Sequence, residues 1–498
     1  MKTRIAFQDS AQESQKPSED EVHGKGDHTL DISPELTKLR DFLPSLIEDM
    51  EKHVPYAAAL VQQQTGHTIR VDSREQHVEP ADPSLGVVLS AWTGRRFAEL
   101  STTELDPERL ARRAHEFVAG LTVEPGGFTV DPGEPLEQEF ATSCEIDPVT
   151  VPLREKFSHC VEIQARLAAL DPRVINAQAV YKDEAETKLF VNRSRRLLQR
   201  IQRARLMLLL LVTDTKGTKK WNGRTAYDWR MQDGTKGYEV TRVSDETMTS
   251  LRDAALALLS AERIEPGFYD CISCPGISGF IAHEAFGHGV ELDMFLKGRA
   301  RARDYIGQQV ASPLVSMVDN PLAVGGYGGF FFDDEGEPAR SVTIIRDGIL
   351  ERGLGDLTSC LYLDVPRTAS GRRESFARKP YARMSNTYVL PGESTIEEMI
   401  ASVEHGVYLE HGSSGMEDPK DWGIQVICHY GREIVNGQFT GRVFAPVGIT
   451  GYVPDLLQSI SMVGDDLKLT GGYCGKGYKE TVPSGTGGPH LKFQARLG

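Results

Sequence analysis

Basic charge is in short supply. Lys and Arg total 56 against 71 Asp and Glu, a formal net charge of −15. The chain as a whole therefore offers no cationic footprint for nucleic acid or for an anionic membrane surface. Long apolar runs are missing as well. The longest, Leu206 to Val212, is bounded by Arg205 and by Thr213 and Asp214, and is far too short to cross a bilayer. It reads as a buried strand. Met1 to Gln8 has no apolar core and does not read as a secretory signal. The cysteines number seven, odd and scattered, which argues against a disulfide framework and for reduced thiols in the cytosol.

What is present suggests two folded units. A chain of 498 residues is long for one core, and 40% hydrophobic with 26% charged residues is a globular composition. Residues 1–31 lack apolar periodicity and are expected to form a disordered tail. Residues 32–261 are expected to form an α+β domain of antiparallel hairpins flanked by helices. Helical spacing of Leu36, Leu39, Leu43, Leu46, Ile47 and Met50 opens it. Hairpins are expected at Thr65-Gly66 and at Thr93-Gly94, then a helix over 104–121 and a long surface connection over 122–150. A second round follows: a helix over 151–170, strands over 174–181, 187–192 and 197–213, and a helix over 244–261. Residues 262–498 are expected to be mostly β, with short strands between glycines, including one through Phe330 to Pro338. Helical patterns there are confined to 394–403, 453–461 and one stretch after the strand ending at Pro275, for which Ser278 is the expected cap.

That stretch, Ile281 to Glu291, carries the chemistry. It places His283, Glu284 and His288 within six residues. Neutral imidazoles are the usual zinc ligands, and a glutamate beside one can serve as general base to a water the metal activates. The common pattern is H-E-x-x-H, with both histidines on one helix face. Here they are five apart, so a regular helix would leave the rings ~140° apart. A shared metal therefore demands a bulge, such as a π-type turn, or a break between them. Gly287 makes such a distortion cheap. A catalytic zinc usually takes three protein ligands. Cys474, between glycines, and Cys428 beside His429 are both open as the third by spacing alone.

The H-E-x-x-x-H stretch resembles the motif of the TldD/PmbA family of metallopeptidases. Other segments resemble that family in its order: Asp333 to Gly336, Gly371 to Glu374, Met384 to Gly392, Ser459 to Gly464, and Ile460 through Cys474 to Lys476. Together they span roughly residues 270–490. The resemblance is to the metal-bearing, TldD-type members, and it implies Cys474 as the third ligand with His283 and His288, and Glu284 as general base. It implies a zinc-dependent peptidase acting on unfolded or extended peptides, taking part in peptide maturation or degradation. It implies a dimer too, with itself or with a PmbA-type subunit. Two other readings remain open at this stage: a subunit active only with a PmbA-like partner, and a non-proteolytic scaffold whose structural metal is closed by Cys428 or His429 as well.

The remaining constellations have plainer readings. Glu291 and Asp293 read as solvated or structural charge rather than partners of an imidazole. Asp333, Asp334 and Glu335 lack EF-hand spacing and read as a turn. Cys271 and Cys274 on a strand would face opposite sides, so they read as two unrelated core thiols. Gly471 to Lys476 is one residue short of a phosphate loop, and Gly477 stands where Ser or Thr is required. Arg372 and Arg373, with Ser385, Asn386 and Thr387, suit either peptide binding or hydrogen bonds at strand ends.

Overall fold

The computed structural model describes residues 30, 32–80, 84–214, 223–477 and 480–498. The expected disordered tail lies outside these residues apart from Leu30. The fold is α+β. One eight-stranded sheet runs in the order Phe97–Thr102, Ser84–Trp92, Tyr56–Val71, Val174–Asn192, Arg195–Thr213, Leu136–Ala141. Gln76–Pro80 pairs with the third of these strands and Thr225–Gly234 with the fifth. The period-2 alternation of a strand assigns its two faces. Ala57, Ala59 and Val61 pack under the helices Pro34–Glu51 and Pro107–Ala119. Tyr56, Ala58 and Leu60 point the other way, against Phe332 and Leu357 of the second half.

Two expected breaks in this sheet are absent. Tyr56–Val71 runs straight through Thr65 and Gly66. Gly66 is needed for close approach rather than for a turn: a Cβ there would lie 2.2 Å from the Asp183 carbonyl oxygen. Val174–Asn192 is also continuous. Its charged middle looks like a loop because partners that hold it lie outside the strand: Asp183 pairs with Lys156, and Glu186 with Arg203. In the expected surface connection, Leu136–Ala141 forms a strand parallel to Arg195–Thr213, with too few apolar residues to show a period.

Residues 267–497 build two larger sheets. In one, His405–Glu417, Gly267–Ser273, Leu491–Leu497, Val447–Tyr452 and Gly423–Val435 follow one another, and the first also pairs with the last, so the path closes on itself. The other, six-stranded, ends with Asn386–Val389, Glu480–Gly488 and Lys468–Lys476. The helix Pro275–Phe286 packs against strands of both. Nearly all its residues are buried, which is the mark of a core helix rather than an amphipathic surface one. Its N-cap is Cys274, not the expected Ser278, whose hydroxyl instead reaches back to the Cys274 carbonyl. The cap makes no side-chain hydrogen bond, so packing holds the helix. Ile277, Ile281 and Phe286 are fully buried, each contributing about 1.5–3 kcal/mol.

Phe330 to Pro338 is not a strand. It is a turn tied by the Asp333 carboxylate, which accepts from the backbone N–H groups of Glu335, Glu337 and Gly371. A helix, Leu357–Leu363, is one the periodicity did not reveal, being only seven residues long. Among the described residues no helix is long and apolar enough to cross a membrane.

Candidate metal centre

The helix carrying His283 stops at Phe286, and a 3-10 turn, His288–Val290, starts two residues on. The spacing called for a bulge or a break, and the structure has the break. Gly287 joins the two with φ −83° and ψ −71°. That conformation is open to any residue, so the glycine is required for space. A Cβ on it would lie 2.1 Å from Met384 Sδ and 2.2 Å from the His283 carbonyl oxygen. Across the break the two imidazoles meet edge to face, with ring centroids 5.0 Å apart.

Cys474 completes the group. It sits on Lys468–Lys476, an edge strand paired on one side with Glu480–Gly488. Its Sγ is 3.2 Å from His283 Nε2 and 3.2 Å from His288 Nε2. These three donor atoms lie within 4.8 Å of one another. Cys428 and His429 are elsewhere: Cys428 is in the core of the closed sheet, and His429 Nε2 lies 2.7 Å from the Tyr227 carbonyl oxygen, which accepts from it. Burial alone would push the Cys474 thiol up. The two imidazoles, by charge and hydrogen bond, outweigh it and hold the thiol well below its ordinary value.

The donor set suits zinc, which accepts imidazole nitrogen and thiolate sulfur together. Tetrahedral bonds of about 2.1 and 2.3 Å separate such atoms by about 3.5 Å, close to the spacing here.

A ring of charge supports the centre. Glu291, expected to be solvated or structural charge rather than an imidazole partner, is 2% exposed and meets the His288 ring. Its Oε2 is 3.4 Å from His288 Nδ1 and 3.0 Å from Lys476 Nζ, and its Oε1 is 3.6 Å from Arg383 Nε. Burial opposes its charge, but Lys476 and His288 prevail and bring it down to about 2. Asp293 pairs with Lys476 at 2.6 Å and with Lys297 at 2.9 Å, a structural role. Arg383 also donates to the Cys474 carbonyl at 2.6 Å. Sequence reasoning missed Arg383, which stands one residue before the family-like segment that opens at Met384.

Glu284, 9% exposed, lines a cavity of about 1110 Å³ together with His283, His288 and Cys474. Arg372 and Arg373, by contrast, are spent on Met384 and Arg378 carbonyls and on Glu99. Ser385 and Thr387 bond Asp319, and Asn386 bonds the Asn320 carbonyl. These are internal hydrogen bonds, not a peptide site. Cys271 and Cys274 are free thiols, one in the strand and one at the helix cap.

Comparison with known proteins finds relatives of the chain. Residues 266–496 match the family described as PmbA/TldA metallopeptidase C-terminal domain. A metalloprotease TldD homolog of Haemophilus influenzae is 31% identical over 384 residues, 75% of this chain and 77% of that one. A metalloprotease of Methanothermobacter thermautotrophicus is 27% identical over 461 residues, 91% of this chain and 97% of its own. The solved TldE from Thermococcus kodakarensis shares the fold at a TM-score of 0.68 and 15% identity, over 91% of this chain and 99% of that one.

Proposed function

The chain belongs to the PmbA/TldD family of metallopeptidases, and within it we propose a zinc-dependent peptidase that cleaves unfolded or extended peptides. The observation that carries this reading is the convergence of His283 Nε2, His288 Nε2 and Cys474 Sγ at a large cavity that Glu284 also lines. His283, His288 and Cys474 would hold the metal, which when bound supplies a Lewis acid for the scissile carbonyl and a lowered pKa for water. Glu284 takes the proton of the attacking water and returns it to the leaving nitrogen. Glu291 keeps the His288 ring turned toward Cys474.

Extended substrate is favoured by the strand edges at the cavity. No described strand pairs with the outer edge of Lys468–Lys476, and most of that strand lines the cavity. A peptide laid beside it would gain backbone hydrogen bonds as an added strand. In this reading the chain works in the cytoplasm as half of a dimer, with itself or with a PmbA-type subunit, and residues 32–261 and 262–498 act as separate domains.

The test compares the purified chain with Glu284→Gln on an unfolded peptide, with metal content measured on both. The expected result is near-stoichiometric zinc in each, and a loss of about 10²–10⁴-fold in cleavage for the variant. Cleavage by a Glu284→Gln protein at the wild-type rate would remove the general base, and absence of any restorable metal would remove the centre.

A further inference from the structure

The cavity holds a second carboxylate that this chemistry does not use. Glu417 ends the strand His405–Glu417 and lines the cavity with Glu284 and His288. It lies against the 3-10 turn of the metal centre: a Cβ on Gly289 would be 3.2 Å from Glu417 Oε1. A Cβ on Gly415 would be 2.7 Å from Glu284 Cγ. Gly415 and Glu417 face the same side of their strand, so the two carboxylates share one wall.

Both oxygens of Glu417 are buried, and neither accepts a hydrogen bond from any described residue. Of the Lys and Arg side chains lining the cavity, Arg299 and Lys468 make no ion pair with Glu417, and the other three are committed elsewhere. Lys476 bonds Glu291 and Asp293, Lys297 bonds Asp293, and Arg230 bonds Asp228. A carboxylate withdrawn from water without a donor or a counter-charge is unfavourable. A compact cation with several donors, entering with the substrate, would satisfy both oxygens at once.

We propose that Glu417 binds a positively charged amino group of the peptide substrate, its amino terminus or a lysine side chain, beside the metal centre. The proposal rests on the peptidase reading above and narrows its substrate class.

Binding to the zinc-loaded Glu284→Gln protein tests it, since that background removes the other carboxylate on the wall and spares the probe. Three fluorescent, unstructured peptides of Ala, Gly, Ser and Leu, labelled at the carboxyl end, serve as probes. One has a free amino terminus, one is acetylated, and one is acetylated with a central lysine. Fluorescence polarisation reads the affinities. Acetylation is expected to weaken binding about tenfold, or ~1.4 kcal/mol. Recovery with the lysine peptide identifies the side chain as the source, and no recovery identifies the amino terminus. In Glu284→Gln with Glu417→Gln added, the advantage of either amine disappears while the acetylated peptide binds as before. Glutamine keeps the shape and cannot ionise, so this variant is expected to fold. Equal affinity for all three peptides with Glu417 intact, or an amine preference that survives Glu417→Gln, overturns the proposal. Failure of the peptidase reading is distinct: the wild type would then cleave none of these peptides even with the amine preference present.

Discussion

Replacing Gly287 by alanine is expected to cost metal affinity far more than its size suggests. The added methyl would meet Met384 Sδ at 2.1 Å and the His283 carbonyl oxygen at 2.2 Å, both well inside van der Waals contact. Met384 is fully buried, and the carbonyl is backbone of the ligand-bearing helix itself. Neither can swing aside as the tip of an exposed side chain would. The φ of −83° is comfortable for alanine, so the penalty is steric, about 1–3 kcal/mol for overpacking a tight site. Relief requires the helix end and the 3-10 turn to move apart, which separates His283 from His288. Ligand constellations tolerate only about 0.5 Å of such drift. We expect a 10–100-fold loss in zinc affinity, comparable to losing a residue that orients a ligand. Competition with a chromogenic chelator reads the affinity, and thermal melting of the metal-free protein reads the steric cost separately. A Gly287→Ala protein with wild-type zinc affinity and wild-type melting would refute the argument that the break holds the two imidazoles together.

Further predictions concern the surrounding charges. Glu291→Gln keeps the side-chain shape but weakens the hold on His288 and on Lys476, so zinc affinity should fall about 10–100-fold. Asp293→Asn, which touches lysines but neither histidine, should change it little, and equal losses in the two variants would contradict this division. Glu417 also makes stability depend on pH. Its folded value is raised from the ordinary 4.5 to about 9, so the folded state holds this proton more tightly than the unfolded chain does. Its contribution is present below the ordinary value and is lost as pH rises toward 9, by at most about 1.4 kcal/mol per pH unit. Metal-free Glu417→Gln should therefore gain on the wild type between pH 6 and pH 8 in denaturant titrations, and a pH-independent difference would sink the claim.

How much of this could be read beforehand depended on how far apart the interacting residues lie. His283, Glu284 and His288 were legible because six residues contain them, and the break followed from the mismatch between a five-residue step and the helical turn. The reason for Gly287 was not legible. It looked like a residue that bends easily, whereas it is required by Met384, almost a hundred residues away. Cys474 was beyond residue-level reasoning. It reaches the histidines from 191 and 186 positions away, on a strand edge, and nothing in its own chemistry separated it from Cys428. Only the resemblance did so.

Buried charge misled in the same way, and for a reason that separates two kinds of carboxylate. Glu186 sits in a run that reads as a loop, yet it is inside a continuous strand because Gln62, Lys188 and Arg203 meet it there. Burial opposes its charge, but Lys188 and Arg203 bring its proton affinity below the ordinary range. Glu291 is similar, with Lys476 and His288 overcoming burial. Glu417, in a Met-Glu-Asp-Pro stretch that reads as exposed turn, also has both carboxylate oxygens buried, but among the described residues no donor meets them. A carboxylate matched from within the chain is part of the fold, and its removal should be paid in stability. One left unmatched at the wall of a catalytic cavity destabilises the fold at neutral pH, and its removal should cost nothing there. The opposite signs expected for Glu186→Gln and Glu417→Gln in unfolding experiments, destabilising for the first and stabilising for the second, make that distinction measurable without knowing the substrate.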